Sequence, residues 1–285
     1  MSVEDALAAA ATKRVLFIGE EIEDVYHYGK LQGRPLKEAI ICIEYRHTEA
    51  FQGGVVAAAR HAETLCAVVH RASARRVRKE RYIEESHTRK LFEVYSGNQA
   101  LPEPLLIGVE DYDAVIVTDF GHGMMTQQMV EQVCHQARFL AVNVQTNSGN
   151  YGFNLATKYQ HADYLCMDEV EARLATQNQD GPIECSVEEL GRISPRVVVT
   201  LGKHGAIGTG GVRAPAFIEP VVDTLGAGDA FFAVTACIAE DVDMEDLLRV
   251  GNAAGKLKAM TIGHRKAVTK NALLHYLHIG AEENQ

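Results

Sequence analysis

The sequence predicts an α/β fold: a mostly parallel sheet flanked by helices on both faces, with a small accessory β lid. Three observations carry this. Short apolar runs without polar alternation recur along the chain, the pattern of strands buried on both faces. Stretches of helical period stand between them, so the order is β then α through most of the sequence. Two further segments read as strands joined by polar turns, with no helix between them.

A short helix at Val3 to Ala11 precedes the first strand, Arg14 to Gly19 (R-V-L-F-I-G). Similar strands follow at Ala114 to Thr118, Phe139 to Val144, Tyr164 to Met167 and Arg196 to Leu201, separated by helices such as Gln127 to Ala137, Val170 to Thr176 and Val187 to Ile193. The helix-free segments are Glu38 to Tyr45 and Lys79 to Val94, within regions near 31–50 and 77–98 that would form a lid or a dimerisation sheet. Exposed edges around Ile40 and Tyr82 would favour a homodimer. From Ala230 the pattern turns helical, with Ala230 to Ala239, Met244 to Met260 and Thr269 to Leu277 expected. No internal repeat or low-complexity linker divides the chain. In such an architecture ligands sit at the carboxyl ends of the strands.

With 285 residues, 47% of them hydrophobic, the chain can bury a core. A formal net charge of −10 argues against nucleic acid and anionic membrane surfaces as partners. The basic cluster Arg71, Arg75, Arg76, Arg78, Lys79 and Arg81 reads as a solvated strand and turn. Six scattered cysteines show no C-x-x-C pair and read as reduced packing residues. The apolar run at Ala6 to Ala11 is too short to span a bilayer and follows acids, so a cytoplasmic protein is expected.

The chemistry concentrates in Asp223-Thr224-Leu225-Gly226-Ala227-Gly228-Asp229, followed at once by the helical run Ala230-Phe231-Phe232-Ala233. Two glycines around an alanine bring backbone close to a ligand, and the first amides of the helix present a positive dipole end, as a phosphate site requires. Asp229 would repel a phosphate, but it suits a base that removes a proton from an attacking hydroxyl. The sequence contains no G-x-x-x-x-G-K-[ST]. His122 and His204, in glycine-rich turns, read as polar surface residues, and Phe231 and Phe232 as the packed start of a helix.

The Asp223 to Asp229 run resembles the D-T-x-G-A-G-D signature of the ribokinase-like (pfkB-type) carbohydrate kinases, and other landmarks appear in that family's order. The resemblance implies an anion hole at Gly226, Ala227 and Gly228, with Asp229 as catalytic base. Gly19-Glu20-x-x-x-Asp24 is similar to the family's G-D-x-x-x-D, which implies that Asp24 binds sugar hydroxyls; Gln52-Gly53-Gly54 is similar to the glycine pair lining the sugar site. Asp168-Glu169-Val170-Glu171 stands where the family has N-x-x-E, implying that Glu171, with Asp168, arranges Mg2+ and its waters. Thr200-x-Gly202-x-x-Gly205, Thr224 and Asn252 are placed by the same resemblance near ATP. The whole chain, 1–285, then reads as one kinase domain.

The openings V-L-F-I-G-E-E-I-E-D-V-Y-H-Y-G and V-T-D-F-G-H-G-M-M-T look most like the kinase domain of bifunctional heptose-phosphate kinase and adenylyltransferase proteins. That implies a heptose 7-phosphate acceptor phosphorylated at its anomeric hydroxyl, a distal phosphate met by Arg75, Arg78 and Arg81, and a separate nucleotidyltransferase in the same pathway. Three departures touch the acceptor side. Ala57 stands where the family has an asparagine after the glycine pair. The stretch between Cys66 and Arg81 is too short for the usual strand, helix and strand, which would open the sugar side of the cleft. Asn143-Val144-Gln145-Thr146-Asn147-Ser148-Gly149-Asn150 replaces an acidic D-P strand end with amides, of which Asn143 is expected at the sugar. The alternatives are a nucleotide-binding homologue that has lost turnover and serves as a regulator or scaffold, or another reaction on the same scaffold.

Overall fold

In a computed structural model that describes residues 1–33, 37–97, 108–217 and 220–282, the strands lie in two sheets. The first helix, α1 (Val3–Ala10), is capped by Ser2 and leads into β1 (Arg14–Gly19). β1 sits near one side of an eight-stranded sheet with β4 (Val68–Ala72), β7 (Ala114–Asp119), β8 (Leu140–Val144), β9 (Tyr164–Asp168), β10 (Val197–Thr200), β11 (Ala206–Gly208) and β12 (Arg213–Ala214). Their order across the sheet is β12-β11-β10-β9-β8-β7-β1-β4. All neighbours from β4 to β10 pair in parallel, and the β11 hairpin adds an antiparallel edge. The central strands β7 and β8 are buried throughout, as continuous apolar runs dictate.

Helices cover both faces. On one side α2 (Val55–Ala62), α6 (Ala227–Ile238), α7 (Met244–Ala259) and α8 (Lys270–Glu282) pack with α1. On the other lie α3 (Gln127–Gln136), α4 (Glu169–Thr176) and α5 (Ile183–Leu190). α6 is buried along nearly its whole length; a Cβ at Gly251 of α7 would strike the Phe231 ring, so this glycine sets how closely the two helices approach. The fifth helix begins four residues before the expected Val187, because Pro182 supplies its N-cap and Ile183, Val187 and Leu190 share the buried face.

The second sheet has the order β3-β2-β5-β6, from β2 (Glu21–Gly33), β3 (Cys42–Gly54), β5 (Arg76–Glu84) and β6 (Arg89–Gly97). β2, which was not among the expected strands, starts two residues after β1 and carries Asp24. β3 begins at Cys42, later than Glu38, and runs through the glycine pair. The accessory-segment residues 34–36 and 98 lie outside the described residues.

The basic cluster is not simply solvated. Alternation along β5 turns Val77, Lys79, Arg81 and Ile83 inward, all buried, while Arg76 and Arg78 face out to Glu21 and Glu23. Arg78 therefore cannot share a ligand with Arg81. The chain passes from β4 to β5 through residues 73–75 with no helix between. Cys66, Cys166 and Cys237 are buried and unbridged as expected, but Cys185 is exposed. Among the described residues no helix is long and apolar enough to cross a membrane.

Candidate active site

Gly226 adopts φ 74°, a left-handed conformation that glycine reaches without a Cβ penalty, and so turns the chain into α6 with Asp229 in its first turn. A cavity of 240 Å³ opens there, lined by Gly226, Gly228 and Asp229 from this turn and by the carboxyl ends of β8, β9 and β10. Asn143, Asp168, Glu171 and Thr200 join them, so seven residues singled out in the sequence meet in one place. Ala227 differs from expectation: its N–H donates to Thr224 O at 3.2 Å and closes the turn. A Cβ on Gly228 would meet nothing within 4 Å, which leaves its backbone open to a ligand.

Asp229 Oδ1 accepts from Gln145 Nε2 at 2.5 Å, and Gln145 also donates to Asn143 Oδ1 at 3.0 Å. Burial raises the Asp229 pKa; His264, the Gln145 hydrogen bond and Lys79 work against that rise. Asn143 in turn donates to Cys166 O at 2.9 Å, so its amide orients Gln145 and has little left for a sugar. The remaining amides of this stretch are also internal. Asn147 and Asn150 donate to Phe120 O, and Asn154 to Asp119 O, pinning the loop after β7.

Asp168 and Glu171 form the capping box of α4. Glu171 N donates to Asp168 Oδ1 at 2.8 Å, Asp168 N to Glu171 Oε2 at 2.8 Å, and Thr146 N to Glu171 Oε1 at 2.9 Å. Burial and the adjacent Asp168 push the Glu171 pKa up to about 8. Among the described residues no group of three or more His, Cys, Asp or Glu side chains could hold a metal ion. The donor set nevertheless fits a hydrated divalent cation: both groups are hard oxygen ligands, and a cation would relieve the held-back ionisation of Glu171.

The residues expected at the acceptor, Asp24 and the glycine pair, lie on the smaller sheet. Asp24 is buried, ion-paired to Arg81, and lies 3.3 Å from His264 Nε2. Burial alone would raise its pKa, but His264 and Arg81 hold it below the ordinary carboxylate value. A Cβ at Gly53 would overlap Asp24 Oδ2 and press on His264, whereas one at Gly54 would meet Glu20 O and Ile22, and Gly54 shapes the turn into α2. His264 also stands against Gly226, whose Cβ would meet its Cε1 at 2.8 Å. It therefore lies between Asp24 and the Gly226 turn.

Behind that turn, Lys258 is buried and its Nζ donates to Leu225 O at 2.7 Å and Gly263 O at 2.6 Å. Asp223 completes the clasp, accepting from Leu225 N at 3.1 Å and Gly263 N at 2.9 Å. Glu20, where the family motif has aspartate, collects the N–H groups of Phe120, His122 and Met124. Gly205 and Asn252, both expected near ATP, converge on one segment: a Gly205 Cβ would strike Ala214 O, and Asn252 donates to Ala214 O at 3.1 Å and Pro215 O at 3.0 Å. Gly202 (φ 57°) and Thr224 are exposed and lie outside the cavity lining.

Sequence reasoning missed Lys79, Lys258 and His264 as members of the site, named Arg81 for a distal phosphate and not beside Asp24, and gave Gln145 and Thr146 only as part of the amide-rich stretch. The period-two alternation of β5 carried a signal for Lys79 and Arg81. Thr146 Oγ1 lines the cavity, buried and without a hydrogen-bond partner among the described residues. His204 is exposed as expected, but His122 is half-buried and its pKa is lowered to about 4 by burial, Lys79 and Arg75.

Comparison with known proteins identifies the family and the fold. The bifunctional protein HldE of Campylobacter jejuni is 29% identical over 163 residues, 54% of this chain and 35% of that protein. An ATP-dependent ribose-1-phosphate kinase of Halopiger xanaduensis is 29% identical over 197 residues, 64% of this chain and 62% of that protein. The chain thus spans about a third of the length of the bifunctional relatives it matches. Arabidopsis thaliana ribokinase, solved with ribose and ATP, shares the fold with a TM-score of 0.70 at 18% identity, over 93% of this chain and 99% of that one. Residues 84–271 match the model of the pfkB family carbohydrate kinases, and the chain belongs to that family.

Proposed function

We propose that this chain is an ATP-dependent sugar kinase that phosphorylates a hydroxyl of a sugar or sugar phosphate, with a heptose 7-phosphate at its anomeric position as the specific acceptor. The observation that carries the reading is Asp229: a half-buried carboxylate in the first turn of α6, held by Gln145 beside the open backbone of Gly226 and Gly228. The acceptor lies between Asp24 and Asp229. Asp229 takes the proton from the attacking hydroxyl, and the Gly226 and Gly228 backbone with the end of α6 stabilises charge on the transferred group. Thr200 and the Gly202–Gly205 turn, with Thr224 and Asn252, flank the nucleotide. Glu171 and Asp168 would hold the waters of a magnesium ion, which supplies charge neutralisation at the phosphates.

A second reading, a homologue with altered or lost turnover, is favoured by one observation. Ala57 is buried in α2 and offers no polar atom where the family has an asparagine amide. We place the protein in the cytoplasm, with a separate nucleotidyltransferase completing its pathway, and infer a homodimer through the smaller sheet. There β3 and β6 are edge strands, and Tyr45, Phe92 and Val94 are exposed. Light scattering at micromolar concentration tests the dimer; a monomer rejects it. For the activity, ADP release with Mg2+ is measured across sugars and sugar phosphates that include heptose 7-phosphates. Acceptor-dependent release supports the kinase, and ATP binding without release on any acceptor favours the second reading.

A further inference from the structure

The short segment after α7 is anchored on two sides. Gly263 N donates to Asp223 Oδ2 at 2.9 Å and Gly263 O accepts from Lys258 Nζ at 2.6 Å, which fixes its backbone to the turn that leads into α6. Toward the smaller sheet, a Cβ at Gly263 would press on the Phe51 ring, and Arg265 pairs with Glu49 at 2.6 Å. His264 stands between these anchors. Its side chain and that of Asp24 are each only 4% exposed, and its Nε2 lies 3.3 Å from Asp24 Oδ2. The other edge of the ring packs on Gly226: an added Cβ there would sit 2.8 Å from His264 Cε1 and 3.3 Å from Lys258 Cε, so Gly226 is held between the imidazole and the lysine stem. Facing a carboxylate, Nε2 is the donor of this ring. Nδ1 is buried with no hydrogen-bond partner among the described residues, and this edge serves packing alone. Neither the proton transfer at Asp229 nor the nucleotide contacts use His264.

We propose that His264 is a positioning residue for phosphoryl transfer. Through Nε2 it aims the Asp24 carboxylate, and through its ring it seats Gly226, so one side chain sets the spacing between the sugar-binding acid and the phosphate-binding turn. What those two ends bind rests on the kinase reading; the link between them does not. Arg81 binds Asp24 and Glu93, both on the smaller sheet, and Lys258 binds Leu225 O and Gly263 O, both on the side of the turn. His264 touches one residue of each group. Two donors on different oxygens, Arg81 on Oδ1 and His264 on Oδ2, stop rotation of the Asp24 carboxylate and leave its free lone pairs in one direction. Gly226 has no side chain to lock its left-handed turn, so its place is set by what packs on it. In-line transfer tolerates little error between the two, since a misplacement of about 1 Å costs about 100-fold in rate.

The test uses the full chain and has two arms. Without substrate, the Gly226 amide resonance of 15N-glycine-labelled protein is followed through a double-mutant cycle of Asp24→Asn and His264→Ala. Asp24→Asn should move that resonance when His264 is present and leave it in place when His264 is absent. His264→Gln repeats the cycle should His264→Ala fail to fold. In the second arm, ADP release with Mg2+ and ATP is measured on ribose and on ribose 5-phosphate. His264→Ala should raise the acceptor KM about tenfold and lower kcat on the order of tenfold, with the Kd for ATP unchanged. His264→Gln returns an N–H donor toward Asp24 but no ring against Gly226, so it should recover KM and not kcat. A Gly226 shift of equal size with and without His264, or a glutamine variant no better than alanine in KM, would overturn the proposal. Absent ADP release by the parent chain on both sugars, with the resonance cycle as expected, would support the link and count against the kinase reading alone.

Discussion

Gln145 Nε2 donates to Asp229 Oδ1 at 2.5 Å, so the carboxylate at the head of α6 is steered by a side chain at the end of β8. This hydrogen bond favours the charged form of Asp229 and opposes the rise that burial imposes. A carboxylate base works only when ionised, and its pKa lies above the ordinary value. The acid limb of kcat/KM should therefore fall at higher pH than for a solvent-exposed aspartate. Gln145→Leu removes the opposing hydrogen bond and should move that limb further toward alkaline pH. A pH–rate profile that stays in place in the variant would separate Gln145 from the control of Asp229.

Arg81→Met leaves Asp24 buried without its ion-pair partner. Breaking a buried pair from one side costs about 3–5 kcal/mol, and urea unfolding should show a loss of that order. The same variant should raise the acceptor KM well before it affects ATP binding, because Asp24 is expected to hold sugar hydroxyls.

Lys258→Met keeps the apolar stem but deprives Leu225 O and Gly263 O of their donor. Two buried carbonyls left without partners cost roughly 1–3 kcal/mol each. Leu225 belongs to the loop that carries Gly226 and leads to Gly228, and Lys258 ties it to Gly263 in the segment after α7. A shift of that loop by about 1 Å should lower kcat on the order of 100-fold, with the KM for ATP little changed. Steady-state kinetics of the purified variant check this split.

His61 is buried, accepts Val268 N at Nδ1 over 2.9 Å, and has its pKa lowered to about 3 by burial, Lys258 and His264. The unfolded chain binds a proton at this residue near pH 6.5, while the folded one resists it. Stability should therefore fall as pH drops below 6.5, by about 1.4 kcal/mol per pH unit from this group until its folded pKa is reached. His61→Asn keeps an acceptor and removes the titration. Its unfolding free energy should show a shallower slope between pH 6 and pH 4 than the parent chain.

Much of the fold was legible because its signals are local. Continuous apolar runs such as Ala114 to Thr118 can only be strands covered on both faces, and the turn at Gly226 needs a glycine wherever it occurs. The assembled site was less legible. Nothing in the sequence around Lys258, in the last turn of a helix, marks it as part of the site; only the return of residues 260–264 brings it against Leu225. The amides of Asn147 and Asn150 were expected to meet a ligand, but the loop after β7 consumes them. In both places a side chain's partner lay far away along the chain, and residue type alone does not name it.

The measurement that bears most directly on the proposed chemistry compares ADP release by the parent chain and by Asp229→Asn, with Mg2+, ATP and a sugar phosphate acceptor, after ATP binding has been verified for both. Asparagine can still accept from Gln145, so the variant should fold and bind ATP. Its acceptor-dependent turnover should fall by about 10²- to 10⁴-fold. Turnover equal to that of the parent chain would contradict Asp229 as the base.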